Sequence, residues 1–81
     1  MQMNIAIQIA ETTDLGIAML IAEFNTGEYF PVSAVGNLRE AREIAQQHFN
    51  DVTRSRAKKP QYRVWARGWK GAYESVAEID L

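Results

Sequence analysis

The sequence predicts one α+β domain, an antiparallel sheet of four to five strands with a single helix packed on one face, in the order β-β-β-α-β-β. Three observations predict it. Ile5, Ile7 and Ile9 alternate with smaller or polar residues, the period of a strand with one face on a core. A capped amphipathic run begins at Asn37, and two alternating segments close the chain on either side of Gly68-Trp69-Lys70-Gly71. At 81 residues the chain has room for one core and no second domain.

The first strand is expected over Asn4 to Ala10, followed by a turn at Glu11-Thr12-Thr13-Asp14. Gly16 to Phe24 fits either a strand buried on both faces or a short hydrophobic helix capped by Asp14. The residues after Phe24 favour the strand: Asn25-Thr26-Gly27 has the composition of a hairpin connection, and Glu28-Tyr29-Phe30-Pro31-Val32 that of a third strand. Pro31 cannot donate to a ladder, which places this strand at a sheet edge.

The helix starts with Asn37 as N-cap and Glu40 at the third helical position, a capping box with Asn in place of Ser or Thr. Leu38, Ala41, Ile44, Ala45, His48, Phe49 and Val52 recur at three- and four-residue steps and form one apolar stripe; Arg39, Glu43, Gln46, Gln47 and Asn50 lie opposite. Fraying is expected near Arg54, where a basic connector leads to Pro60.

The last two strands are Gln61 to Arg67 and Ala72 to Asp80. A turn centred on Trp69-Lys70 would set Arg67 opposite Ala72, Trp65 opposite Glu74 and Arg63 opposite Val76. That register gives Tyr62, Val64, Ala66, Tyr73, Ala77 and Ile79 to the core. It gives Arg63, Trp65, Arg67, Glu74 and Glu78 to the opposite face.

Composition narrows function more by exclusion than by assignment. Hydrophobic residues are 47% of the chain and charged residues 23%, a globular balance with little surface to bury at this length. A homodimer would add the buried area such a chain is short of. The absence of cysteine excludes disulfides, thiolate metal sites and cysteine nucleophiles, and suits a reducing compartment. No apolar run approaches the roughly 20 residues of a spanning helix, and Met1-Gln2-Met3-Asn4 lacks the basic start of a secretory signal. A cytoplasmic protein with no membrane partner is expected.

No enzyme constellation is legible, and neither cofactor nor metal is expected. His48, the one histidine, falls beside Phe49 on the helix flank, a core-edge position. No phosphate loop or nucleophile motif is present. Glu40 and Glu43 lie beside Arg39 and Arg42 as a solvated network, and Glu78 with Asp80 offers two carboxylates, a poor site for a hard cation.

The net charge of -1 conceals strong segregation. Residues 1–36 carry four acids and no Lys or Arg, whereas residues 54–70 carry seven of the nine basic residues and no acid. Within that basic block, Lys58-Lys59-Pro60-Gln61-Tyr62-Arg63-Val64-Trp65-Ala66-Arg67-Gly68-Trp69-Lys70 interleaves cations with aromatics. Guanidinium groups beside an indole plane suit phosphate contact and base stacking. The same residues also suit an internal cross-strand cluster in which Arg63 and Arg67 lie on Trp65 and pair with Glu74. Trp69, held between two glycines in a tight turn, has the character of an interface anchor. The expected partner-binding surface is therefore Lys58, Lys59, Arg63, Trp65, Arg67, Trp69 and Lys70.

The order of elements, with the helix introduced by Val32-Ser33-Ala34-Val35-Gly36-Asn37-Leu38-Arg39-Glu40-Ala41-Arg42-Glu43-Ile44-Ala45, resembles small proteins of phages and mobile elements, among them anti-CRISPR inhibitors that pack one helix on a short antiparallel sheet. It is also similar to small bacterial domains of unknown function. The phage-type resemblance implies a stoichiometric inhibitor that occupies a protein or nucleic-acid surface of a nucleoprotein complex. It transfers no functional residue. The sequence thus points to a non-enzymatic interaction protein, with direct nucleic-acid binding through the basic-aromatic strand as the alternative.

Overall fold

A computed structural model of the chain describes residues 11–54, 59–67 and 71–81. Among them lie β1 (Ala18–Glu23), β2 (Tyr29–Ala34), α1 (Leu38–Arg54), β3 (Gln61–Arg67) and β4 (Tyr73–Ile79). The strand expected at Asn4 to Ala10 lies outside the described residues. The four strands form one sheet in the order β2-β1-β3-β4, with every neighbouring pair antiparallel. Of the two readings open for Gly16 to Phe24, the strand is the one formed, and β2 takes the edge position that Pro31 requires.

Local chemistry fixes the entry to β1, the β1–β2 hairpin and the start of α1. Asp14 Oδ1 accepts from the Gly16 amide at 2.7 Å while Gly16 turns at φ 69°, which delivers the chain into β1. The β1–β2 hairpin closes on Phe24, whose carbonyl accepts from the Gly27 amide at 3.0 Å and whose own amide donates to the Glu28 carbonyl at 2.8 Å. Gly27 sits at φ 91°, a conformation that penalises any side chain, so the glycine sets the hairpin register. At the start of α1 the Glu40 amide donates to Asn37 Oδ1 at 2.8 Å, and Glu40 Oε1 accepts from the Gly36 amide at 3.3 Å. The expected capping box therefore forms, its return bond made one residue before the cap.

β2 and β3 flank β1 and run parallel to one another, so the chain must cross from one side of β1 to the other. The 17 residues of α1 make that crossing and lie over the sheet. Ala41 and Ala45 are fully buried, and Leu38, Ile44 and Phe49 pack around them. The sheet meets them with Ala18, Leu20, Ala22, Tyr62, Val64, Ala66 and Ile79. Alanines on both sides of this contact let helix and sheet approach closely. The core is small as a result, with Tyr62, Leu20 and Val64 its largest fully buried side chains.

β4 departs from the expected register. Arg67 lies opposite Tyr73, Ala66 opposite Glu74 and Trp65 opposite Ser75; beyond an irregularity, Val64 lies opposite Ala77, Arg63 opposite Glu78 and Tyr62 opposite Ile79. Val76 is the extra residue, a β-bulge. The half of β4 after the bulge keeps the expected parity, so Ala77 and Ile79 face the helix. In the half before it the parity is reversed. Tyr73, expected in the core, is on the open face and 51% exposed, and Glu74, expected beside Trp65, is on the helix side opposite Ala66. The bulge reconciles a pairing set near the turn with one set by the core.

Candidate interaction face

The side of the sheet away from α1 carries Arg63, Trp65 and Arg67, three of the residues expected to bind a partner. Cross-strand pairing orders that face in rows. Ile17 lies beside Arg67 and Tyr73, through the Arg67 amide donating to the Ile17 carbonyl at 3.1 Å. Met19, Trp65 and Ser75 form the next row, Pro31, Ile21, Arg63 and Glu78 the third, and Tyr29, Glu23 and Gln61 the last. Among the described residues no helix or strand packs on this face. It carries Ile17, Met19, Ile21, Tyr29, Trp65 and Tyr73, an apolar surface of the kind that marks interaction sites.

Of the expected binding residues, Arg63, Trp65 and Arg67 are brought together here by the period-two geometry of β3. Lys59 is not. It precedes the far end of β3, which is itself about 20 Å from Arg67 by strand rise, with Nζ 5.8 Å from the centre of the Phe49 ring on the helix side. Lys58, Trp69 and Lys70 lie outside the described residues.

The cations that remain differ in what they have left to offer. Arg63 Nε donates to Glu23 Oε2 at 3.0 Å, and Glu78 faces Arg63 from β4. The expected cluster of Arg63 and Arg67 on Trp65 with Glu74 is not the arrangement formed: Arg63 pairs across strands with Glu23 from β1, and the reversed parity carries Glu74 to the other face. Arg67 is exposed, its Nε donating to the Gly71 carbonyl at 3.2 Å, with Gly71 at φ 83° beneath the guanidinium. One end of the face is thus acidic, with Glu23 and Glu78 around Arg63, and the other ends in Arg67.

Glu23, Ile21, Tyr29 and Trp65 line a cleft of about 360 Å³. β1 supplies Ile21 and Glu23, between Tyr29 on β2 and Trp65 on β3. The Trp65 indole Nε1 is buried and has no hydrogen-bond partner among the described residues. An orphaned donor of this kind costs roughly 1–3 kcal/mol, so the indole is held there by its packing and not by a polar anchor.

Met19, Ile21, Glu23 and Tyr29 were not among the expected site residues. The alternation Ala18-Met19-Leu20-Ile21-Ala22-Glu23 held the signal, since Glu23 shares parity with Met19 and Ile21 and marks that side as reaching water. Away from the face, His48 bonds to Tyr62 at the edge of the core. No group of three or more His, Asp or Glu among the described residues is placed to hold a metal ion, and no helix among them is long and apolar enough to cross a membrane. No family model matches the chain, and no curated protein or solved structure matches it either.

Proposed function

We propose that this chain is a non-enzymatic interaction protein that docks a protein partner on the open face of its sheet. One observation carries the reading: Ile17, Met19, Ile21, Tyr29, Trp65 and Tyr73 share a face on which no described element packs, with Tyr29 67% and Tyr73 51% exposed. Tyrosine and tryptophan with an adjacent arginine are the residue types that anchor protein interfaces. An inhibitor that occupies a surface of a larger complex, as the sequence's resemblance to phage-type inhibitors implies, is one form such a protein takes.

Direct nucleic-acid binding draws less support from the geometry. Arg63 is bound to Glu23, Lys59 lies by the helix, and Glu78 shares the face. The test pairs Arg67→Glu/Tyr73→Ser on the open face with Arg39→Ala/Glu43→Ala on the exposed side of α1, in a pull-down run beside a salt titration against labelled DNA and RNA. All four positions are exposed, so the fold survives both changes. A protein partner kept by wild type and the helix variant and lost by the face variant supports the reading. Nucleic-acid binding that weakens steeply with salt replaces it.

A further inference from the structure

We propose that the cleft between Trp65 and Tyr29 is a receptor for an aliphatic cation, the side chain of a lysine or arginine presented by the docking partner. This deepens the interaction reading and rests on it. Ile21 supplies an apolar floor for methylenes, two aromatic side chains flank it, and the Glu23 carboxylate stands at the same cleft. Aromatic rings attract a cation held over them, and the attraction grows as water is excluded. The volume of about 360 Å³ is ample for a lysine or arginine side chain.

The electrostatics select the sign of the ligand. Glu23 and Glu78 lie on this end of the face with Arg63 between them, Lys59 borders clefts that hold each of the two acids, and the β1–β2 hairpin adds Glu28 and no basic residue, which leaves three acids against two cations. Arg63 engages one oxygen of Glu23, and the local balance stays negative. Lys59 turns its Nζ to the Phe49 ring, 5.8 Å from the centroid, and Arg67 stands at the far end of β3. Long basic side chains also bury their stems on apolar surface while presenting the charge, which matches an Ile21 floor beside an acid.

The probe is choline, with 3,3-dimethyl-1-butanol as its uncharged isostere, titrated against a Trp69→Phe chain in which Trp65 is the one remaining tryptophan. The expected result is a saturable change in Trp65 fluorescence with choline, and about two- to fivefold weaker binding of the isostere, the difference an exposed cation–aromatic contact supports. Glu23→Gln erases that preference, and Tyr29→Leu, at an exposed position, weakens choline while leaving the circular dichroism unchanged. Equal binding of the isostere overturns the proposal in favour of an apolar slot, and no saturable change overturns it outright. Neither Arg67 nor Tyr73 lines the cleft. A partner lost by Arg67→Glu/Tyr73→Ser, together with choline that fails to bind, therefore removes the cation receptor and leaves the docking face standing.

Discussion

His48 on α1 and Tyr62 on β3 are joined across the boundary between helix and sheet, with Nδ1 2.5 Å from the phenol oxygen and the two rings at 85°. Tyr62 is 1% exposed as a residue, and this bond satisfies its hydroxyl. Tyr62→Phe is expected to cost about 1–2 kcal/mol and His48→Ala about 1–3 kcal/mol, because each strands the other's polar atom. Urea denaturation of both single variants and the double variant should return a coupling energy above about 0.5 kcal/mol. Additive losses would show that the contact contributes nothing of its own.

The same burial controls alkaline stability. Desolvation pushes the Tyr62 hydroxyl from 10.0 up to about 12. Above about pH 10 the unfolded chain releases this proton while the folded chain keeps it, so the unfolded state binds fewer protons and stability falls as pH rises. The contribution is complete below pH 10 and is lost by about pH 12, at most about 3 kcal/mol at 1.36 kcal/mol per pH unit. Chemical denaturation from pH 9 to 12 should show this decline in wild type and a shallower one in Tyr62→Phe.

Ala41 and Ala45 are the points at which α1 presses on the sheet, both fully buried. A leucine at Ala45 has no space to enter without lifting the helix, and a loss of about 1–3 kcal/mol is expected. Leucine at the exposed Gln46 next to it is expected to change stability by less than about 0.5 kcal/mol. Thermal melts of the two variants make the comparison, and equal melting temperatures would contradict a close helix–sheet contact.

Trp65 carries an orphaned indole N–H into a partly buried position. Phenylalanine there gives up some contact area and also removes a donor that has no acceptor, so the two effects oppose and the net change is expected within about 1 kcal/mol. Alanine, which gives up the ring entirely, should cost more. A Phe variant as damaged as the Ala variant would mean that the N–H is bonded after all.

How far each element was legible in the sequence depends on the range of the interactions that hold it. The helix could be read from local signals alone, the Asn37–Glu40 cap and the stripe from Leu38 to Val52. Pro31 and Gly27 gave away the edge and its hairpin for the same reason. The burial of Tyr62, Val64, Ala66, Ala77 and Ile79 came from alternation. Tyr73 and Glu74 were misplaced because the residue opposite each is decided by a bulge, and no local feature of Tyr73-Glu74-Ser75-Val76 announces one. The basic block looked like one surface in one dimension; strand alternation and the length of β3 separate Lys59 from Arg67, and Glu23, distant in sequence, neutralises Arg63. The cleft was hidden for a related reason, since Tyr29 and Trp65 meet only when β1 comes between β2 and β3.

Both border strands of the sheet are irregular, β2 at Val32 and β4 at Val76, while β1 and β3 pair with each other in unbroken register. Val76 is not needed to place its neighbours, for without it Tyr73-Glu74-Ser75-Ala77-Glu78-Ile79 would alternate perfectly with the same residues on the same sides. What its presence changes is the outline of the rim. A straight rim of unpaired amides and carbonyls recruits further strands and can propagate into fibrils, whereas a kinked rim, or one interrupted by Pro31, does not. Lateral growth is thereby discouraged at both borders of the described sheet, by a kink on one side and by a kink and a proline on the other.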